Sequence, residues 1–193
     1  EVNEATETYD FPEVDTGEEE ATEIVRAAAD AWLNSDASPV TPADAIFDNL
    51  NDGDESNDPL ILSVRSAEHY ELGHIAGAIN IPWQAIAQPE NLAKLPPDMP
   101  IAVYCYTGHT GQVATTVLGV LGYDVTNIKY GMMGWTEDDE VLATARYDPA
   151  TAPDFPVEGT AAEAAAAEET AAEETAAEET AEPATIPETG GMP

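Results

Sequence analysis

Three short apolar runs, at 60–64, 101–105 and 125–129, are separated by stretches of helical periodicity, and this alternation narrows the fold more than any other feature of the chain. Short runs rich in Ile, Leu and Val, bounded by polar or turn residues, read as strands. Between the second and third, Val113, Val117, Leu118 and Leu121 recur at helical spacing within 111–121. Strands alternating with helices predict an α/β fold, a mainly parallel sheet with helices on both faces. In such sheets ligands bind beyond the carboxyl ends of the strands. Cys105 ends one of those strands, and a helix begins just after it.

Upstream, Ile24, Ala27, Ala28, Ala31 and Trp32 give 18–34 the spacing of an amphipathic helix that opens the folded part. A short second helix follows, with Thr41 as its expected N-cap, Pro42 at the first helical position, and Ala45, Ile46 and Leu50 as its apolar side. Asp52, Gly53 and Asp54 resemble a piece of a calcium loop. With Gly53 at the loop glycine, however, Leu50 and Pro59 fall where oxygen ligands are needed, so the segment reads as a turn.

The chain has 193 residues, 39 of them acidic and five basic, for a net charge of −34. Nine acids lie in 1–20 and ten in 158–193, and neither stretch has a Lys or Arg. Such segments bury too little apolar surface to offset the entropy of ordering. The expected organisation is therefore an acidic disordered segment at 1–21, a folded domain at 22–150, and an acidic Ala/Glu/Thr tail at 151–193, with both tails dispensable for stability. Within 166–180 the unit AAEET occurs three times. A five-residue step winds its glutamates around a helix and leaves no apolar face, so a spacer is expected. Phosphate recognition needs clustered Lys and Arg, which excludes nucleic acid and anionic membrane surfaces as partners. Solubility or a salty exterior accounts for the acidity, with a cationic partner as the alternative. The single cysteine excludes an internal disulfide and any multi-cysteine metal site. Nothing in the pattern demands more than a monomer.

After the strand ending in Cys105 come Tyr106, Thr107, Gly108, His109, Thr110 and Gly111, then a helix. The backbone N–H groups of such a loop can converge on one point, and with the positive end of a helix dipole behind them they favour an anion, or a thiolate over a thiol. Gly108 and Gly111 suit a loop that needs positive φ and close approach. Taken alone, the residues leave open whether Cys105 is a reactive nucleophile or a buried, inert thiol.

The stretch SVRSAEHYELGHIAGAINIPW, at 63–83, resembles the signature of the rhodanese family, in which an Asp-x-Arg strand end leads through a short helix to Gly-His-Ile-x-Gly-Ala-x-Asn-Ile-Pro. The segment 103–125 is similar to the family's active loop and following helix, and 131–135 resembles its closing Gly-Gly-x-x-x-Trp region. Together these cover about 58–136 in the family's order. The resemblance implies a rhodanese-like sheet and a sulfurtransferase: Cys105 takes sulfane sulfur from thiosulfate or a polysulfide-type donor as a persulfide and passes it to a nucleophilic acceptor such as a thiol. It further implies that the amides of 106–111 stabilise negative charge, and that no metal or organic cofactor is required. Two positions depart from the family. Thr110 stands where many active members have Arg, and Ser63 replaces the Asp of Asp-x-Arg, although Arg65 remains and is expected to bring a positive charge to the substrate.

Of the histidines, His74 is expected to bond backbone and His69 to be solvated. His109 is expected either to orient a donor beside Cys105 or to point outwards, and a Cys105/His109 metal site lacks further ligands. Besides the enzyme, two other functions fit the residues. One is a rhodanese-fold binding or sensing module without turnover, and the other is a phosphatase or arsenate reductase, disfavoured because those loops use an Arg. A location outside the cytoplasm is expected from Ile186-Pro187-Glu188-Thr189-Gly190, which resembles the Leu-Pro-x-Thr-Gly sorting signal, with covalent cell-wall anchoring near Thr189. The alternative is a cytoplasmic protein.

Overall fold

The structure, a computed structural model, describes residues 5, 7–153, 155 and 159. The third AAEET repeat and its two predecessors, and the sorting-like segment with Thr189, lie outside the described residues. The chain divides into two units, Glu1–Tyr147 and Asp148–Pro193. In the second, the Asp148 carboxylate accepts the Ala150 N–H at 2.9 Å and its carbonyl accepts the Thr151 N–H at 3.1 Å, which makes a turn.

Five strands form one sheet in the first unit: β1 (Val40–Thr41), β2 (Leu60–Ser63), β3 (Ile79–Asn80), β4 (Ile101–Tyr104) and β5 (Val125–Ile128). Their order is β1-β5-β4-β2-β3, and every pairing is parallel. β4 is central, with Leu62 opposite Val103 on one side and Ile101 opposite Val125 on the other. All four of its residues are fully buried. A parallel strand covered on both faces has no side left for water, which is why its run is continuously apolar rather than alternating.

Alternate residues of β4 feed two cores. Ile101, Val103 and Cys105 pack with Leu118 and Ala114 of α5 (His109–Val120), Leu92 of α4 (Pro89–Leu92) and Trp32 of α1 (Ala21–Leu33). Ala102 and Tyr104 pack on the opposite face with Ile46 of α2 (Ala43–Asn49), Tyr70 of α3 (Ala67–Glu71), Met132 of α6 (Met132–Trp135) and Leu142 of α7 (Asp139–Leu142). Among the described residues, no helix is long and apolar enough to cross a membrane.

The three expected strands and the helices around them are present within three residues of the sequence reading. Two details differ. Thr41 does not cap α2; it lies in β1, where its hydroxyl meets that of Thr126 on β5 at 2.8 Å, and Pro42 takes the N-cap position. The edge strand wins because it pairs both backbone and side chain. The acidic N-terminal segment, expected to be solvated, has no helix or strand over 7–20 but touches the core. The Tyr9 N–H donates to the Ala93 carbonyl at 2.7 Å. Phe11, Pro12 and Val14 line an apolar cavity of about 300 Å³ with Ile24, Leu92, Leu121 and Tyr123. A few apolar side chains among the acids are enough to hold the segment to a surface that already exists, because only a short stretch has to be ordered.

Deletion of residues 1–18 is therefore expected to cost about 1–2 kcal/mol by exposing that apolar surface. In a thermal melt this reads as a fall of several degrees, and a Tm unchanged by the deletion would show that the contacts contribute nothing.

Candidate active site

Cys105 follows the last residue of β4 and is 1 % exposed. The chain then turns through Tyr106, Thr107 and Gly108 into α5. Gly108 makes the turn with φ +91° as the N-cap residue, a conformation that a side chain resists. Its N–H donates to Cys105 Sγ at 3.1 Å, so at least one loop amide points at the sulfur. The amides of Tyr106, Thr107, His109, Thr110 and Gly111 have no protein acceptor among the described residues. The first amides of a helix are unsatisfied by construction, and here the preceding turn adds two more.

Two carbonyls of the same loop are engaged from one side. The Met132 N–H donates to the Cys105 carbonyl at 2.9 Å and the Met133 N–H to the Tyr106 carbonyl at 2.9 Å. These donors come from the first turn of α6, which reaches the loop because residue 131 is glycine: a Cβ there would sit 2.6 Å from the Cys105 carbonyl oxygen. A peptide unit is planar and trans, so a carbonyl and the following N–H point in opposite directions. Pinning the carbonyls of Cys105 and Tyr106 towards α6 therefore turns the N–H groups of Tyr106 and Thr107 away from it. A sulfur atom that accepts one loop amide, in a segment that carries five more unpaired amides, has donors at hand to stabilise a sulfur anion.

The side chains fall into place unevenly. Tyr106 is half-buried, and its hydroxyl sits 2.7 Å from His69 Nδ1 while accepting the Ser66 N–H at 3.2 Å. His69, expected to be solvated, is thus half-buried and tied to the loop, its ring edge-on to Tyr106 with centroids 5.4 Å apart. Thr107 Oγ1 and His109 Nδ1 lie 2.7 Å apart, with His109 exposed at the rim. Thr110 is half-buried in the first turn of α5. Gly111 sits inside α5 rather than in a positive-φ turn; it is needed because a Cβ there would be 2.3 Å from Asn127 Oδ1. His74 bonds backbone as expected, its Nδ1 lying 3.0 Å from the Tyr70 carbonyl oxygen and its ring stacked on Tyr70 at 3.9 Å.

Arg65 departs most from the sequence expectation of a cation offered to substrate. It is 0 % exposed. One terminal nitrogen donates to the Val141 carbonyl at 2.8 Å and the other to the Gly73 carbonyl. The guanidinium carbon lies 5.5 Å from the Tyr104 ring centroid and 5.8 Å from that of Tyr106. Its two terminal nitrogens tie the end of β2 to the loop before His74 and to α7, while its Nε is buried without a partner, and among the described residues no carboxylate lies within ion-pair distance of it. Burial also raises the Tyr104 phenol above its ordinary range, which keeps that ring neutral beside the cation.

Sequence reasoning missed Asn127, a buried polar residue on β5 whose Nδ2 donates to the Gly108 carbonyl at 3.0 Å. A signal was present. An Asn between Val125 and Ile128 in a strand covered on both faces has to find partners, and the neighbouring loop is the nearest source. Among the described residues, no group of three or more His, Cys, Asp or Glu side chains is placed to hold a metal ion.

Residues 46–138 match the sequence profile of the family described as Rhodanese-like domain. Among curated proteins, the chain is 37 % identical over 87 residues to the adenylyltransferase and sulfurtransferase UBA4 of Meyerozyma guilliermondii, covering 42 % of this chain and 20 % of that protein. It is 31 % identical over 112 residues to the probable adenylyltransferase/sulfurtransferase MoeZ of Mycobacterium tuberculosis, covering 57 % of this chain and 27 % of that protein. The matched region thus spans only about a fifth to a quarter of these relatives. Of solved structures, a rhodanese-like domain protein from Staphylococcus aureus is similar with a TM-score of 0.46 and 26 % identity, over 51 % of this chain and 92 % of that one.

The placement of Arg65 leads to a test of its role. Arg65→Met leaves the carbonyls of Gly73 and Val141 without donors, and the expected loss of stability in urea unfolding is about 2–4 kcal/mol. Unchanged stability together with weaker substrate binding would return Arg65 to the role of a substrate ligand.

Proposed function

We propose, on the premise that residues 46–138 of this chain are a rhodanese-like domain, that the protein is a sulfurtransferase working through a Cys105 persulfide. The single observation that carries this is the Cys105 sulfur held by the Gly108 N–H, in a loop whose five other amides have no protein acceptor among the described residues. In the first step the Cys105 thiolate attacks the outer sulfur of thiosulfate or of a polysulfide. A sulfur–sulfur bond forms at Sγ, the donor's own sulfur–sulfur bond breaks, and its electron pair leaves with sulfite or with the shortened polysulfide. In the second step an acceptor nucleophile, such as a thiolate, attacks the terminal sulfur and Cys105 leaves as thiolate. No outside oxidant or reductant enters, since sulfane sulfur moves as a unit.

The chain's residues have defined tasks in this scheme. Cys105 is the nucleophile. The amides of 106–111 hold the negative charge of the terminal sulfur and of the departing group. Burial of Cys105 limits approach to the loop side, which protects a persulfide from solvent and from stray oxidants. Tyr106, braced by Ser66 and His69, forms one wall of the approach.

Charge sets the donor preference. The loop 105–111 contains no Lys or Arg, and Arg65 is committed elsewhere. A dianion such as thiosulfate then meets dipoles alone, in a chain of net charge −34 that repels it. A polysulfide-type donor of lower charge density suits such a loop better. The relatives named as sulfurtransferases support the reaction class.

Two measurements test this reading. After incubation with polysulfide, the intact mass of the protein is expected to increase by that of one sulfur atom, and Cys105→Ala is expected to show no increase. A wild-type protein that gains no sulfur from any sulfane donor would leave a binding module in place of an enzyme. Thr110→Arg is expected to raise kcat/KM for thiosulfate by roughly tenfold or more, since a guanidinium meets an oxyanion with charge and two-point geometry. Unchanged turnover with the fold intact would place the donor preference elsewhere.

A further inference from the structure

Asn127 has no part in the scheme above, yet it is placed to control one of its donors. It is 3 % exposed, on β5, beneath the loop. Its Nδ2 donates to the Gly108 carbonyl at 3.0 Å and to Gln112 Oε1 at 3.3 Å. The Gly108 carbonyl also accepts the Gln112 N–H at 3.0 Å. Two donors from the sheet and helix side therefore fix the direction of that carbonyl. The Gly108 carbonyl and the His109 N–H belong to one planar trans peptide unit and point oppositely, so the His109 N–H is driven away from β5 and α5 towards the mouth of the loop.

The cost of keeping this residue is visible beside it. Asn127 Oδ1 is buried without a hydrogen-bond partner among the described residues. An unsatisfied buried acceptor is destabilising. Leucine, of similar size, would remove that penalty. A purely structural position would favour the apolar residue, and the sequence has Asn.

We propose that Asn127 is a positioning residue for sulfur transfer: by holding the Gly108 carbonyl it aims the His109 amide at the sulfur carried by Cys105. The inference rests on the reading of Cys105 as the sulfur carrier, and it extends the α6 clamp on the Cys105 and Tyr106 carbonyls to a third peptide unit supplied by a side chain. The clamp thus has two origins, the backbone of α6 and the Asn127 amide, which act on opposite ends of the loop. Other titratable or charged groups near the loop are Arg65 at the end of β2, His69 on α3, His109 on α5, and Lys129 and Tyr130 after β5; all are unaltered by substitution at 127.

The test uses Asn127→Leu and Asn127→Asp, with Thr126→Val as control. Leucine removes donor and orphan acceptor together, and Asp replaces the donor with an acceptor facing the carbonyl. Thr126→Val breaks the hydroxyl pair with Thr41 in the same strand without touching the loop. Each protein is assayed below its melting temperature for polysulfide-dependent turnover and, separately, for the rate of Cys105 alkylation by iodoacetamide at one fixed pH. Both Asn127 variants are expected to lose roughly tenfold in kcat with KM changed less than about twofold, because one oriented donor is lost in the transition state. Alkylation is expected to slow several-fold, while the control keeps wild-type rates. Asn127 variants with wild-type rates, or a control that loses as much as they do, would overturn the proposal. Alkylation reads the amide cluster whether or not sulfur is transferred, so a wild type that forms no persulfide refutes the functional reading and leaves this comparison standing.

Discussion

Everything at the candidate site depends on peptide planes whose direction is set from behind. The carbonyls of Cys105, Tyr106 and Gly108 are taken by donors on α6 and β5. Once those oxygens are fixed, the N–H groups that follow them have one direction left. The loop therefore needs no charged side chain to be electropositive at its mouth. It needs the sheet and α6 to stand at the right distance, and the closeness of Gly131 to the Cys105 carbonyl shows how little slack is allowed.

This division of labour fits an unusually acidic chain. With five basic residues among 193, a cation spent on substrate is a cation lost to the fold. Arg65 goes to the fold: its donors tie together three elements that share no backbone pairing, and it sits against two tyrosine rings. In the proposed reaction backbone dipoles take over at the site, and they do not alter net charge. Dipoles oriented in advance would need no rearrangement during the sulfur transfer proposed above, which is the general advantage of preorganised donors.

Much of the fold was legible because its signals are local. The apolar runs at 60–64, 101–105 and 125–129 predict β2, β4 and β5, and the helical spacing after Cys105 predicts α5. β1 and β3 have two residues each, too few to carry a period, and exist only because β5 and β2 offer edges to pair with. The loop and its cysteine could be read from a strand, a glycine-bearing turn and a helix in succession. The role of Arg65 could not, since its partners Gly73 and Val141 are 8 and 76 residues away. His69 was misjudged for the same reason: a short amphipathic helix predicts which side faces water, not that Tyr106 lies across from it. The acidic N-terminal segment was read from average composition, whereas Phe11, Pro12 and Val14 act individually on a surface formed by α1, α4 and α5.

The most direct test of this account is a crystal structure of the protein after incubation with polysulfide. The account predicts a terminal sulfur on Cys105 within about 3.5 Å of several loop amides, those of Tyr106, Thr107 and His109 among them, with the Gly108 carbonyl still on Asn127. A persulfide that points away from the amides, or a loop whose carbonyls have left Met132, Met133 and Asn127, would contradict it.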